Sequence, residues 1–146
     1  MFPLGVTFLT PTPNYTIVIP GTALGTITTG GYNNRTNSLY VESSWGPNRI
    51  GALSPDLVSP AVNVLGMYPQ MEGAMTGTSV ASAITSGACS LMLEWGILRG
   101  NDVAMNTYRI RAYLIRGCDR PANIDFPNMQ WGYGRLNLFN TFNMLR

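Results

Sequence analysis

A serine at the head of an apolar segment has the surroundings that covalent chemistry requires. Ser79 follows Thr76, Gly77 and Thr78 in the stretch MTGTSVASAITSGACSLMLEWG, which covers residues 75–96. The small residues on both sides let other backbone approach closely, and the pattern predicts that Ser79 stands at the N-terminus of a helix. There its own N–H and the positive end of the helix dipole could face a developing oxyanion, which suits a nucleophile.

Two interpretations of Ser79 remain open on these residues alone. The serine could be a nucleophile, or it could only cap the helix, which is the commoner role of a serine at this place. A serine hydroxyl needs a base to become a good nucleophile near neutral pH, and the sequence contains no histidine. The usual activating partner is therefore missing from this chain.

Composition limits the classes of protein to which the chain can belong. Its 146 residues have the length of one ordinary domain. With 45% hydrophobic and 11% charged residues, the composition excludes a disordered chain. Nine basic and seven acidic residues give a net charge of +2 without any basic run, so we predict no nucleic-acid partner.

Metal, disulfide and membrane chemistry are also not indicated. The two cysteines, Cys89 and Cys118, are too few for a disulfide framework, and we predict buried free thiols. Without histidine or an acidic cluster, we predict no metal and no cofactor. No apolar run reaches about 18 residues, and no charged region precedes a short apolar one at the N-terminus. We therefore expect no membrane partner and no signal peptide, and a location in the cytoplasm.

The elements that must position Ser79 follow from the pattern along the chain. Residues 1–14 contain three prolines and are predicted to be a connector from an upstream region. Residues 45–60 are predicted to be mostly loop. Strands are predicted at 15–19, 25–31 and 38–43, with a short buried strand at 61–66.

Three helices are predicted in the second half of the chain. The first follows Ser79 and ends near Gly96, with an apolar stripe of Ile84, Ala88, Leu91 and Trp95. The second is capped by Asn106 or Thr107, buries Ile110, Tyr113 and Leu114, and ends at Gly117. The third runs from about Asn137.

Three sequence blocks carry a resemblance to a known family. GTSVASAITSG (77–87) resembles the block around the catalytic serine of subtilisin-like serine proteases. SSWGPNRIGALSPDLVSPAVNV (43–64) resembles the segment leading to that serine, and IPGTALGTITTGGYN (19–33) resembles the family's Pro-Gly-Thr-Ala loop and core strand. The blocks occur in the family's order over about half of the chain. Within the family, LEWGI and MNTYRIRAYLIRG are similar to Csp-type germination proteases of spore-forming bacteria.

The resemblance implies a fold and a reaction. Residues 15–146 would form the C-terminal half of an α/β subtilisin-like domain, with a largely parallel sheet and flanking helices. The reaction would be peptide-bond hydrolysis by an Asp-His-Ser triad, with Ser79 as the nucleophile and its N–H as one oxyanion donor. The resemblance also implies a cytoplasmic or spore-associated protein.

The resemblance also places substrate-binding residues. Val18, Pro20, Gly21 and Thr78 fall on or beside its specificity pocket. Pro20 aligns with a proline that often follows a cis peptide bond, and Val18 would make the pocket shallow.

The chain departs from the family pattern in several places. Ala83 and Ile84 replace a proline and a histidine that are not catalytic. Asp56 belongs to a structural block and cannot serve as the triad aspartate, and the context of Asn14 does not match that of the second oxyanion donor. Because the triad Asp and His would lie upstream, the isolated chain is predicted to be inactive.

The missing triad residues leave alternatives for the chain itself. The implied partners are a peptide or protein substrate and the missing N-terminal half of the same domain. The chain could be a fragment of a longer protease or a separately produced piece that assembles with that half. The alternative function is a catalytically inactive pseudoprotease, or a relic half-domain kept for binding.

Overall fold

The structure, a computed structural model, describes residues 7–146 of the chain. Its strands are β1 (Thr29–Asn33), β2 (Ser38–Leu39), β3 (Leu57–Pro60), β4 (Val64–Tyr68) and β5 (Met71–Met75). Its helices are α1 (Thr78–Leu93), α2 (Thr107–Gly117) and α3 (Leu138–Asn143). A π-helical turn, Glu94–Leu98, continues α1.

The strands form a central sheet and a separate ribbon. In the sheet β1 lies between β2 and β3, parallel to β3 with Gly30 opposite Val58. The pairing of β1 with β2 is antiparallel. Val58 also accepts a hydrogen bond from the Leu136 N–H at 2.9 Å, so residues near the C-terminus extend the sheet beyond β3. The ribbon is the antiparallel pair of β4 and β5. The predicted α/β fold with flanking helices is confirmed.

The core lies between the sheet and the helices. Leu57 of β3 packs with Met92 of α1 and with Ile110 and Leu114 of α2 in one buried cluster. Burial of such side chains contributes about 1.5–3 kcal/mol each and is the main force that holds these elements together.

The buried stripe of α1 differs from the predicted one. The helix buries Ala81, Thr85, Ala88 and Met92, whereas Leu91 of the predicted stripe is 49% exposed. Both sets satisfy the helical period, so periodicity does not distinguish them. The smaller side chains of the observed stripe let the helix lie closer to the sheet.

Several predicted strands are wrong or displaced. Residues 15–19 do not form a strand, and Thr16 is held instead by hydrogen bonds with Trp45. The buried strand β3 lies inside the predicted loop at 45–60, where it pairs with β1 through contacts distant in sequence. The predicted strand at 61–66 is displaced to β4, which lies in the ribbon and exposes Leu65 and Met67. The predicted strand at 38–43 is reduced to β2.

The helix ends agree with the sequence signals. The Asn106 side chain accepts a hydrogen bond from the Arg109 N–H at 3.1 Å, and α2 ends at Gly117. The Asn137 side chain caps α3 in the same way, accepting from the Asn140 N–H at 2.9 Å. Both predicted boundaries are confirmed because each depends on local hydrogen bonds.

The predicted connector at 1–14 is only partly described. Residues 1–6 lie outside the described residues, and 7–14 are exposed without helix or strand.

The helix α1 and its π-helical continuation are long and apolar. Together they form Thr78–Leu98, which has 21 residues and a mean hydropathy of 1.2, enough in length and composition to cross a membrane. The core helix of a globular domain meets the same criteria, and α1 packs on the sheet through β1 and β3.

Candidate active site

The start of α1 fixes the position of Ser79. The N-cap residue is Gly77, with φ 146° and ψ 158°, and no side chain caps the helix. Only glycine adopts this backbone conformation readily. Ser79 is therefore the second residue of the helix, and the interpretation of Ser79 as a cap is wrong.

Both polar groups of Ser79 are available to a ligand. The residue is exposed, and within the described part of the chain neither its hydroxyl nor its N–H makes a hydrogen bond. The first N–H groups of a helix have no intrahelical acceptor and carry the positive end of its dipole. A carbonyl oxygen that becomes negatively charged beside Ser79 would meet this N–H.

Close packing holds this helix end on the sheet. The Gly77 N–H donates to the Ala61 carbonyl at 2.8 Å. A Cβ at Gly31 of β1 would lie 2.6 Å from Ala61 Cβ and 3.4 Å from Thr78 Cγ2. Glycine at position 31 thus lets the head of α1 rest directly on β1.

Ser79 lines a groove of about 640 Å³. The predicted substrate-binding residues Val18, Pro20, Gly21 and Thr78 line the same groove. The structure therefore brings together all five predicted site residues, although they come from two distant parts of the chain. Their role in substrate binding stays a prediction.

The segment 17–21 forms one wall of the groove. The Ile19–Pro20 peptide bond is cis. Val18 is 73% exposed and lies at the rim, while Ile17 is buried beside it. Ile17 therefore lines the groove together with Val18, and the shallow pocket expected from Val18 stays a prediction.

Sequence reasoning missed several lining residues. Ser43, Ser82, Thr28 and Pro55 also line the groove. Ser43 is buried, and its hydroxyl accepts a hydrogen bond from the Gly31 N–H at 3.0 Å. Ser43 and Pro55 lie in the second sequence block, and this place in the chain is the signal that could have identified them as groove residues.

The groove carries no charge of its own. None of the described residues that line it is acidic or basic. Asp56 is buried elsewhere in an ion pair with Arg111, and Asn14 is exposed outside the groove. The described residues that line the groove therefore offer the exposed hydroxyl and the unbonded N–H of Ser79, but no side chain that could act as a base or as its carboxylate partner.

The described residues include two free thiols and no cluster of potential metal ligands. Among the described residues no group of three or more His, Cys, Asp or Glu side chains could hold a metal ion. Cys89 and Cys118 are both free, but only Cys118 is buried as predicted, whereas Cys89 is partly exposed. Burial raises the pKa of both thiols, that of Cys118 to about 12, so both stay protonated near neutral pH.

Comparison with known proteins agrees with this geometry. The sequence profile of the subtilase family matches residues 9–134. The solved structure of the Clostridium perfringens CspB protease is 39% identical, with a TM-score of 0.88, and the match covers 94% of this chain and 30% of that one. A search of curated proteins finds no significant match.

Two further solved structures share the fold at lower identity. The prenylagaramide maturation protease PagA is 19% identical with a TM-score of 0.72, over 92% of this chain and 47% of that one. The self-cleaved protease domain of PatA is 22% identical with a TM-score of 0.69, over 91% and 46%. The present chain thus spans less than half of each of these structures.

Proposed function

This chain belongs to the subtilase family, and we propose that it carries the nucleophile of a serine-type endopeptidase. The observation that supports this proposal is the unbonded hydroxyl and N–H of Ser79 at the start of α1, in a groove. The proposed substrate is a peptide or protein chain, and the proposed location is the cytoplasm or the spore, as the sequence resemblance implies.

The proposed reaction follows from these groups. Ser79 Oγ attacks the scissile carbonyl carbon while its proton passes to a histidine. The carbonyl oxygen gains negative charge, and the Ser79 N–H donates a hydrogen bond to it. The C–N bond then breaks, the amine leaves with the proton, and water hydrolyses the acyl-serine.

The histidine and its aspartate are proposed to come from an N-terminal part of the same domain. This chain has no histidine and spans only 30% of the CspB protease structure. A further part of the domain would therefore have to supply the base that Ser79 needs.

Exposed apolar side chains indicate where such a partner packs. Leu91 and Leu93 of α1 are 49% and 39% exposed, and Leu98 in the π-helical turn is 80% exposed. Ile19, which lines the groove, is 79% exposed. Leu91 and Leu93 are two residues apart and therefore lie on different faces of α1. The proposed partner would cover these separate side chains rather than one patch.

One observation favours an alternative function. The groove has no ionisable side chain among its described lining residues, so it would bind a peptide without cleaving it if no base reaches Ser79. The protein would then be a pseudoprotease or a binding half-domain.

Reconstitution tests the proposal against this alternative. The gene is first sequenced upstream of Met1 for an aspartate block and a histidine block. The encoded protein, or this chain produced with the separate N-terminal partner, is then incubated with a peptide library, and cleavage is followed by mass spectrometry.

Cleavage that is lost in Ser79→Ala and kept in Ser82→Ala supports the endopeptidase. Ser82 is a matched control because it lines the same groove. Binding without cleavage supports the pseudoprotease.

A further inference from the structure

The groove wall 17–21 has little regular structure to hold it. It contains no helix or strand, and Val18 and Ile19 are 73% and 79% exposed, so few packing contacts restrain them. The Pro20 carbonyl accepts only a local hydrogen bond, from the Ala23 N–H at 2.9 Å. The Gly21 carbonyl, in contrast, accepts one from the Thr28 hydroxyl at 2.8 Å. This bond joins the wall to the start of β1.

Thr28 is itself held by Asp56. The Thr28 N–H donates to Asp56 Oδ2 at 2.8 Å, and the Asp56 N–H donates to the Thr28 carbonyl at 2.8 Å. The Asp56 side chain is 5% exposed. A hydrogen bond to a buried carboxylate is stronger than one between neutral groups, so the position of Thr28 is closely defined.

Arg111 of α2 completes the network. Its Nε donates to Asp56 Oδ1 at 2.7 Å, and its Nη2 donates to the same oxygen. The hydrogen bond that Arg111 donates to Asp56 raises the pKa of Arg111. Each Asp56 carboxylate oxygen therefore has a donor, one from α2 and one from the residue that holds the groove wall.

We propose that Arg111, Asp56 and Thr28 are positioning residues that set the place of the Gly21 carbonyl and thus the width of the groove that Gly21 and Ser79 both line. The proposal rests on the proposed function, because it concerns how that groove holds a peptide. Arg111 and Asp56 do not line the groove next to Ser79. They act through Thr28, and the hydroxyl of Thr28 is the link that a substitution can remove most selectively.

The test compares Thr28→Val with Thr28→Ser in the active full-length or reconstituted protein. Valine keeps the branched shape and the backbone bond to Asp56 but loses the bond to Gly21, whereas serine keeps the hydroxyl. We expect KM for a peptide substrate to rise about fivefold in Thr28→Val. We expect kcat and the rate of labelling by a small fluorophosphonate to change less than about twofold. Thr28→Ser should keep the KM of the parent.

Thr36→Val is the matched control. Thr36 is not among the residues that line the groove, and its hydroxyl lies 2.8 Å from that of Ser38. An unchanged KM in Thr28→Val overturns the proposal. An equal rise in Thr36→Val or in Thr28→Ser also overturns it, because the effect would then not depend on the link to Gly21.

Hydrogen exchange separates this inference from the proposed function. In Thr28→Val we expect faster exchange of the Ala23 N–H than in the parent and in Thr28→Ser, with no change in α3. If the parent neither cleaves peptides nor reacts with the fluorophosphonate, the proposed function fails, and this exchange still decides whether Thr28 holds the wall. Equal exchange in parent and Thr28→Val overturns the proposal.

Discussion

The Gly77 N–H donates a hydrogen bond to the Ala61 carbonyl at 2.8 Å, which joins the start of α1 to the end of β3. Between these two residues the chain leaves the sheet as the β4–β5 ribbon and returns. The φ of 146° at Gly77 turns the chain from the ribbon into the helix. This relationship places Ser79, the second residue of α1, at the groove.

Replacing Gly77 with alanine should displace Ser79. No atom lies within 3.9 Å of the added Cβ, so the cost is backbone strain rather than a clash. We expect a loss of about 1–3 kcal/mol in the free energy of unfolding and a fall of at least about tenfold in fluorophosphonate labelling of the active protein. Ala112→Gly, on an exposed face of α2, should cost about 0.5–1 kcal/mol and leave labelling unchanged. Equal labelling of Gly77→Ala and the parent would contradict this role.

A buried hydroxyl pair fixes α1 against β3. Ser59 Oγ and Thr85 Oγ1 are 2.8 Å apart, and Thr85 also donates to the Ala81 carbonyl. We expect Thr85→Val to lower the free energy of unfolding by about 1–3 kcal/mol, because the buried Ser59 hydroxyl loses its partner. The double variant Ser59→Ala/Thr85→Val should lose less than the sum of the single variants. Urea denaturation provides the measurement, and strict additivity would show that the pair is not coupled.

The pH dependence of stability should report on Cys118. Burial raises the pKa of its thiol from 9.0 in the unfolded chain to about 12 in the fold. The folded state therefore holds this proton more tightly, and its stabilising effect is complete below pH 9 and lost as pH rises toward 12. We expect Cys118→Ser to have a lower free energy of unfolding than the parent at pH 8, and the difference between the two to narrow above pH 9. A difference that does not change with pH over this range would refute the assignment to Cys118.

The isolated chain should associate with itself. Its exposed apolar side chains, including Leu91 and Leu98, have no cover in the described structure, and such surface promotes aggregation. Size-exclusion chromatography with light scattering should show large species for this chain alone and a defined complex when it is produced with the proposed N-terminal part. A single monomeric species with a cooperative thermal transition would contradict the need for a partner.

Local signals in the sequence predicted the candidate nucleophile and the helix ends. The GTS block led to the proposal of Ser79. The side chains of Asn106 and Asn137 marked where α2 and α3 begin, because a cap depends only on residues within one turn. The resemblance carried by the ordered sequence blocks predicted that Val18 and Pro20 lie at one pocket, and both residues line the groove. These features need no knowledge of distant contacts.

Contacts between distant residues escaped prediction. Leu57–Pro60 contains a serine and a proline and follows Pro55, so its composition indicates a loop. Its parallel pairing with β1 makes it a strand. The link from Arg111 through Asp56 to Thr28 likewise joins three distant parts of the chain, which no local pattern reveals.

Labelling by a fluorophosphonate probe tests the central claim, that Ser79 is the nucleophile of a serine endopeptidase. The active full-length or reconstituted protein is treated with the probe, and the modified peptide is identified by mass spectrometry. We expect one adduct on Ser79, absent in Ser79→Ala and kept in Ser82→Ala. Absence of labelling in a folded protein that contains the N-terminal part, or an adduct that persists in Ser79→Ala, would contradict the claim.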